Sequence, residues 1–221
     1  MNLPIGHHLR IYRREHLWFP LAVWALFALV VGFMHRDGGR AYDTANAFLS
    51  TVLPLAAGVL SASAIVDDNA LELQLAAPRA PWRILVERLA LLLAIIAVAA
   101  AAFQGYLAFL GVDISGLGSV TARQSVWLVP SLALMGLSSL AALALVQGTA
   151  GALFTGVIWI MQVMARGWFI ASPWGRYLFL FLGGFCPGSP DLLANQACLV
   201  ALAIAFVVAA SLLLRQEERY L

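Results

Sequence analysis

Three groups of side chains in this 221-residue chain could do chemistry, and all stand in an apolar background. The first is a polar run, Asp67, Asp68, Asn69 and Glu72, followed by Arg79, Arg83 and Arg88. Asn69 with Glu72 three residues later has the spacing of a capping box, with Asn in place of Ser or Thr. It predicts a helix starting at Ala70. Pro78 and Pro81 should stop that helix, because proline lacks an N–H and disfavours helix at the residue before it. The result is a rod of about two turns, roughly 12 Å long. Leu71 and Leu75 share one face of it. Such a rod either rests on lipid as an interfacial linker or docks into a groove of a cytoplasmic partner.

The second group is a set of isolated amides, Gln104, Gln147 and Gln162, with Trp159, Phe103 and Tyr106 nearby in the pattern. In an apolar helix an amide either lines a path for a polar cargo or bonds to a neighbouring helix. Gln104, Gln147, Gln162 and Trp159 are the pathway candidates. The third group is four histidines, His7, His8, His16 and His35, and two cysteines, Cys186 and Cys198. The cysteines have neither a metal nor a disulfide spacing, and two unpaired thiols are expected. His7, His8 and His16 read as a solvated face of an amphipathic helix, the alternative being adventitious metal binding. No G-x-S-x-G or H-E-x-x-H motif occurs. All 13 basic residues are arginine. Without lysine there is no phosphate-binding loop of the GxxxxGK[ST] type and no Schiff base. The chain is therefore not expected to be an enzyme or to hold a cofactor, and ATP-driven work would need another chain to bind the nucleotide.

The elements that must carry these residues follow from composition. The chain is 62% hydrophobic and 11% charged, whereas a soluble domain carries about 25% charged residues. At about 20 residues per span, it has room for six membrane helices in one all-α domain. The expected spans are 17–34, 45–66, 89–112, 125–146, 149–165 and 197–214. Residues 1–16 read as an amphipathic interfacial helix, 35–43 as a loop, 67–88 as a connector and 113–123 as a second loop. A tight turn is expected near Gln147 and Gly148. Residues 166–196 are apolar but broken by Pro173, Gly183, Gly184, Pro187 and Pro190, which predicts either a re-entrant hairpin or a seventh span over 168–185.

Arginine bias separates these topologies, since cytoplasmic loops carry the excess. Six spans place Arg10, Arg13, Arg14, Arg79, Arg83, Arg88, Arg215 and Arg219 inside, and Arg36, Arg40, Arg123, Arg166 and Arg176 outside. Seven spans erase the excess and bury Arg176. Six spans with both termini cytoplasmic, in a cell's inner membrane, is the expected topology. No Asp, Glu or Arg falls inside these spans, which argues against proton or sodium coupling and predicts an amphiphilic or apolar cargo. Gly136, Ser138, Ser139, Gly151 and Gly156 should permit close helix contact. Trp168, Pro173, Trp174 and Arg176 either gate the outer side or form an aromatic belt. Net charge of +2 implies no nucleic-acid partner.

The run Leu71-Glu72-Leu73, Leu75-Ala76-Ala77-Pro78, then Arg83 and Leu85 to Arg88 resembles type-2 ATP-binding-cassette (ABC) exporter permeases. The likeness extends to layout: a basic interfacial helix, six spans, a coupling helix between spans 2 and 3, and a re-entrant hairpin before span 6. Asn69-Ala70 replaces that family's Gly-Thr, and Arg88 replaces its Lys. The resemblance implies an exporter subunit that pairs with a second permease chain, identical or related, and with two cytoplasmic ATPase chains carrying ATP and Mg. It further implies that Asp68, Asn69, Leu71, Glu72, Leu75, Pro78 and Arg79 meet the ATPase. The alternatives are a non-transport membrane module that anchors a cytoplasmic partner, and an ion-coupled carrier.

Overall fold

A computed structural model describes residues 15–66 and 81–214. The interfacial helix expected over 1–16, the short rod over 69–77 and the tail from 215 lie outside the described residues, apart from Glu15 and His16. The described part is all helical. Helix α1 spans Glu15–Met34, and α2 spans Gly38–Ala47. A π-helical turn, Phe48–Val52, joins α2 without a break to α3, Leu53–Val66. Helix α4 spans Pro81–Phe109, α5 Val120–Leu145 and α6 Gly148–Met164. Three short helices come next, α7 (Arg166–Ala171), α8 (Gly175–Leu178) and α9 (Leu182–Phe185), and then the long α10, Leu192–Leu213.

Four helical stretches are long and apolar enough to cross a membrane: Gly38–Ser63, Trp82–Phe109, Val120–Leu145 and Leu192–Leu213. The apolar stretches Pro20–Met34 and Gly148–Met164 are shorter than 18 residues. So six apolar helices stand where six spans were expected, and four of them meet the length and composition of a span.

Several boundaries differ from the sequence reading, each for a local reason. The supposed loop 35–43 shrinks to the turn 35–37, because the Asp37 side chain accepts the Arg40 N–H at 3.2 Å and caps α2 despite its two leading glycines. The span expected from Ala45 thus belongs to a helix that begins at Gly38. Pro81 does not only end the segment before it. It opens α4, where a missing N–H costs nothing, so Arg83, Glu87 and Arg88 lie in the first turns of a helix instead of in a linker. Helix α5 begins at Val120, capped by the Ser119 hydroxyl, and so takes in Arg123. Helix α10 begins at Leu192, five residues early, and so takes in Asn195 and Gln196.

The π turn has a plain cause. Pro54 cannot donate to the Ser50 carbonyl, and its ring would strike that carbonyl in a regular helix. The backbone widens instead, with Leu53 N–H donating to Phe48 O five residues back.

Helix α5 sits at the centre, with α3, α6 and α10 packed around it. Helix α4 packs on α3 and α1. One core joins α1 through α4: Phe27, Phe48 and Phe103 pack in a row as tilted rings, with centroids 5.3 and 4.2 Å apart. A second core joins α5, α10 and the broken segment through Phe169, Phe179, Phe181 and Leu182. The α5–α6 turn falls at Val146, in the left-handed region at φ +54°, and Gln147. Small residues let these helices meet within the chain. A methyl group on Gly136 would lie 3.0 Å from the Ala203 carbonyl, and one on Gly151 would lie 2.7 Å from the Ala142 backbone. Gly156 faces open space.

The pair Gly151 and Gly156 gives a direct packing test. Gly151→Ala should lower stability in detergent by about 1–3 kcal/mol through overpacking. Gly156→Ala, one turn and a half along the same helix, should leave the denaturation midpoint unchanged or raise it slightly.

Candidate functional site

Residues 166–191 do not form one helix. Proline disfavours helix at the residue before it, and two of the breaks fall at such residues, while a third falls at Phe179, which is extended and has no proline after it. Ser172 (ψ 130°) precedes Pro173 and ends α7. Cys186 precedes Pro187 and ends α9. The alternative of a seventh span over 168–185 is not what forms: that stretch holds pieces of six, four and four residues. Every break frees carbonyl and N–H groups. Residues 179–184 between the breaks are buried, so those groups must find partners inside the protein.

Side-chain amides from the surrounding helices supply them. Asn195 on α10, 1% exposed, aims its amide nitrogen at three carbonyls: Arg176 O at 2.8 Å, Tyr177 O at 3.2 Å and Phe179 O at 2.9 Å. Gln162 on α6 works in both directions. Its Nε2 donates to Leu178 O at 3.1 Å, and its Oε1 accepts Leu180 N–H at 2.9 Å. Asn46 on α2 donates to Gly184 O at 2.9 Å. Nearer the surface, the Arg176 guanidinium pairs with Asp191 at the start of α10.

The same end of the bundle holds further polar contacts. Gln104 on α4 and Gln124 on α5 form an amide pair, with Gln124 Nε2 donating to Gln104 Oε1 at 2.9 Å. Trp127 Nε1 donates to Gln124 Oε1 at 2.8 Å. Gln196 donates to the Ser125 hydroxyl at 2.8 Å. Beside this last pair, a crevice with room for about one water molecule is lined by Val126, Pro130, Leu180, Gly183 and Asn195. Asp113, in the α4–α5 loop, is held below the usual carboxylate range by the Ser115 N–H and hydroxyl, with Arg123 adding a smaller pull.

The four pathway candidates thus have definite places. Gln162 is bonded to the broken segment and Gln104 to Gln124. Trp159 donates from Nε1 to Thr51 O, inside the π turn, at 2.9 Å. Gln147 stands exposed at the other end, before α6. The structure brings Gln104 and Gln162 to one end, does not join them, and leaves Gln147 apart. The partner-binding candidates Asp68, Asn69, Leu71, Glu72, Leu75, Pro78 and Arg79 lie outside the described residues. Asn46, Gln124, Asn195, Gln196 and Asp191 escaped the sequence reading. For Asn195 and Gln196 a signal was present: amides leading into an apolar run, close to a segment that proline must break. Among the described residues no group of His, Cys, Asp or Glu could hold a metal ion, and both cysteines are free.

The chain matches no protein-family model, no curated protein and no solved structure.

Asn195→Leu keeps the volume but removes the donor to three carbonyls, that of Phe179 buried and those of Arg176 and Tyr177 half-buried. It should cost about 2–4 kcal/mol in chemical denaturation in detergent. Gln196→Leu loses one half-buried bond and should cost about 0.5–1.5 kcal/mol.

Proposed function

We propose that this chain is the transmembrane permease subunit of an ATP-driven exporter of the type-2 ABC class. It acts in the inner membrane, with both termini cytoplasmic, beside a second permease chain and two ATPase chains. The observation that carries the reading is the broken segment 166–191, packed between α6 and α10 and held there by buried amides. Irregular backbone at membrane depth is tolerated only where protein buries it or water lines it. Its place before the last long helix is the place that the sequence resemblance gives to a re-entrant hairpin.

Three further features support the same reading. The helices are apolar enough to lie in a bilayer. Charged groups in the described long helices sit near their ends, as with Arg83, Glu87 and Arg88 at the start of α4 and Arg123 at the start of α5. A middle without ionisable groups fits an external motor better than ion coupling, and it fits an amphiphilic or apolar cargo. The lack of lysine fits a chain that leaves ATP and Mg to its partner.

On this reading each group has one task. The connector after Val66 takes the push of the ATPase, with Glu72 capping its rod. Helices α3 and α5 pass the movement through the core. The segment 166–191 closes the outer end.

The test is to recover the tagged chain from its native membrane. An ATPase chain should co-purify, with vanadate-sensitive hydrolysis of ATP that Glu72→Pro abolishes. Capture of a partner with no nucleotide dependence would favour the anchoring module instead. Transport that tracks a proton gradient and survives ATP depletion would point to an ion-coupled carrier.

A further inference from the structure

The anchors on segment 166–191 are not equally complete. Gln162 uses both ends of its amide on the segment, and the Asn195 nitrogen meets three carbonyls. Asn46 is less well satisfied. Its nitrogen holds Gly184 O, but its Oδ1 is buried with no hydrogen-bond partner. A buried acceptor left unpaired lowers the margin by which a contact is held. The contact is also the tightest in the segment. A methyl group on Gly184 would lie 2.5 Å from Ser50 Cβ, 2.6 Å from Ser50 Oγ and 3.0 Å from Asn46 Oδ1. Only glycine lets α9 sit this close to α2 and the π turn.

The π turn sets this contact. Adding a residue to one helical turn rotates the helix before it by about 100° relative to the helix after it. That rotation aims Asn46 and Ser50 at Gly184. Trp159 of α6 braces the same turn at Thr51 O. From the turn, α3 runs 14 residues without interruption to Val66, a stiff rod of roughly 21 Å.

We propose that Asn46, Ser50 and Gly184 form a release joint, at which the broken segment parts from α2 and the bundle opens at this end. Parting frees Asn46 Oδ1 to take a hydrogen bond from water. The rod of α3 delivers the movement, since it ends where the connector 67–80 begins. The purpose of the joint rests on the exporter reading; its existence does not.

Cys186, half-buried two residues after Gly184, reports the parting. The full-length chain carrying Cys198→Ser is labelled in detergent with a polar maleimide. Gly184→Ala should raise the labelling rate roughly 5- to 30-fold, as expected for losing one such contact. Asn46→Ala, which adds no bulk, should raise it by a similar factor. Ser50→Gly placed in the Gly184→Ala background removes both atoms that the methyl strikes, and should restore slow labelling. Gly156→Ala, facing open space, should change nothing. Helical content and a cooperative melt show that each variant folds; should Gly184→Ala fail to fold, Asn46→Ala carries the test alone. Labelling of Gly184→Ala and Asn46→Ala at the parent rate would overturn the joint, as would a Ser50→Gly change that fails to slow a folded Gly184→Ala. No nucleotide or partner chain enters this assay. Its failure counts against the joint, whereas failure of the Glu72→Pro experiment counts against the exporter reading.

Discussion

A peptide group inside a bilayer must be hydrogen-bonded by the protein itself, and this requirement organises the molecule. Long helices meet it internally. Segment 166–191 cannot, because Pro173, Pro187 and Pro190 forbid a continuous helix. Its freed groups are met by Asn46, Gln162 and Asn195, one amide from each of three surrounding helices. Each of those amides stands near the end of its helix facing the segment, so the positions of α2, α6 and α10 and the shape of the segment fix one another.

The π turn shows the same requirement at a smaller scale. Pro54 removes a donor, the helix widens by one residue, and Trp159 reaches across from α6 to the carbonyl at Thr51. One proline thereby links three features: the π turn itself, the seat of Gly184, and the contact between that turn and α6. The centre of the bundle is close-packed around α5, its polar side chains there being small hydroxyls such as Ser61, Ser131, Ser138 and Ser139. Small residues such as Gly136 and Gly151 bring the helices to backbone contact, which suits a membrane interior, where burial of apolar surface alone does not drive helices together.

Composition made the all-helical, membrane-type architecture legible, and the spacing of apolar runs located all six apolar helices to within a few residues at most ends. The larger errors came from polar residues read as loop. Gly38 and Gly39 hid the start of α2, which Asp37 caps. Glu87 and Arg88 hid the first turns of α4, whose start Pro81 favours. Asn195 and Gln196 hid the first turn of α10. Of these, Asn195 and Gln196 serve partners distant in sequence, Asn195 bonding to residues 16 to 19 positions away and Gln196 to one 71 away, as Asn46 does to one 138 away. Local propensity carries no record of such partners. Gln162 and Trp159 were legible as polar groups in an apolar helix, but the sequence left open whether a cargo or a neighbouring backbone would use them.

Segment 179–184 is fixed interior structure although its helix is broken. Amide hydrogen exchange on the chain in lipid nanodiscs tests it most directly. Exchange at Leu180, Gly184, Phe185 and Cys186, whose N–H groups all have protein acceptors, should be as slow as in the middle of α5. Exchange there as fast as in the exposed loop between α4 and α5 would contradict it.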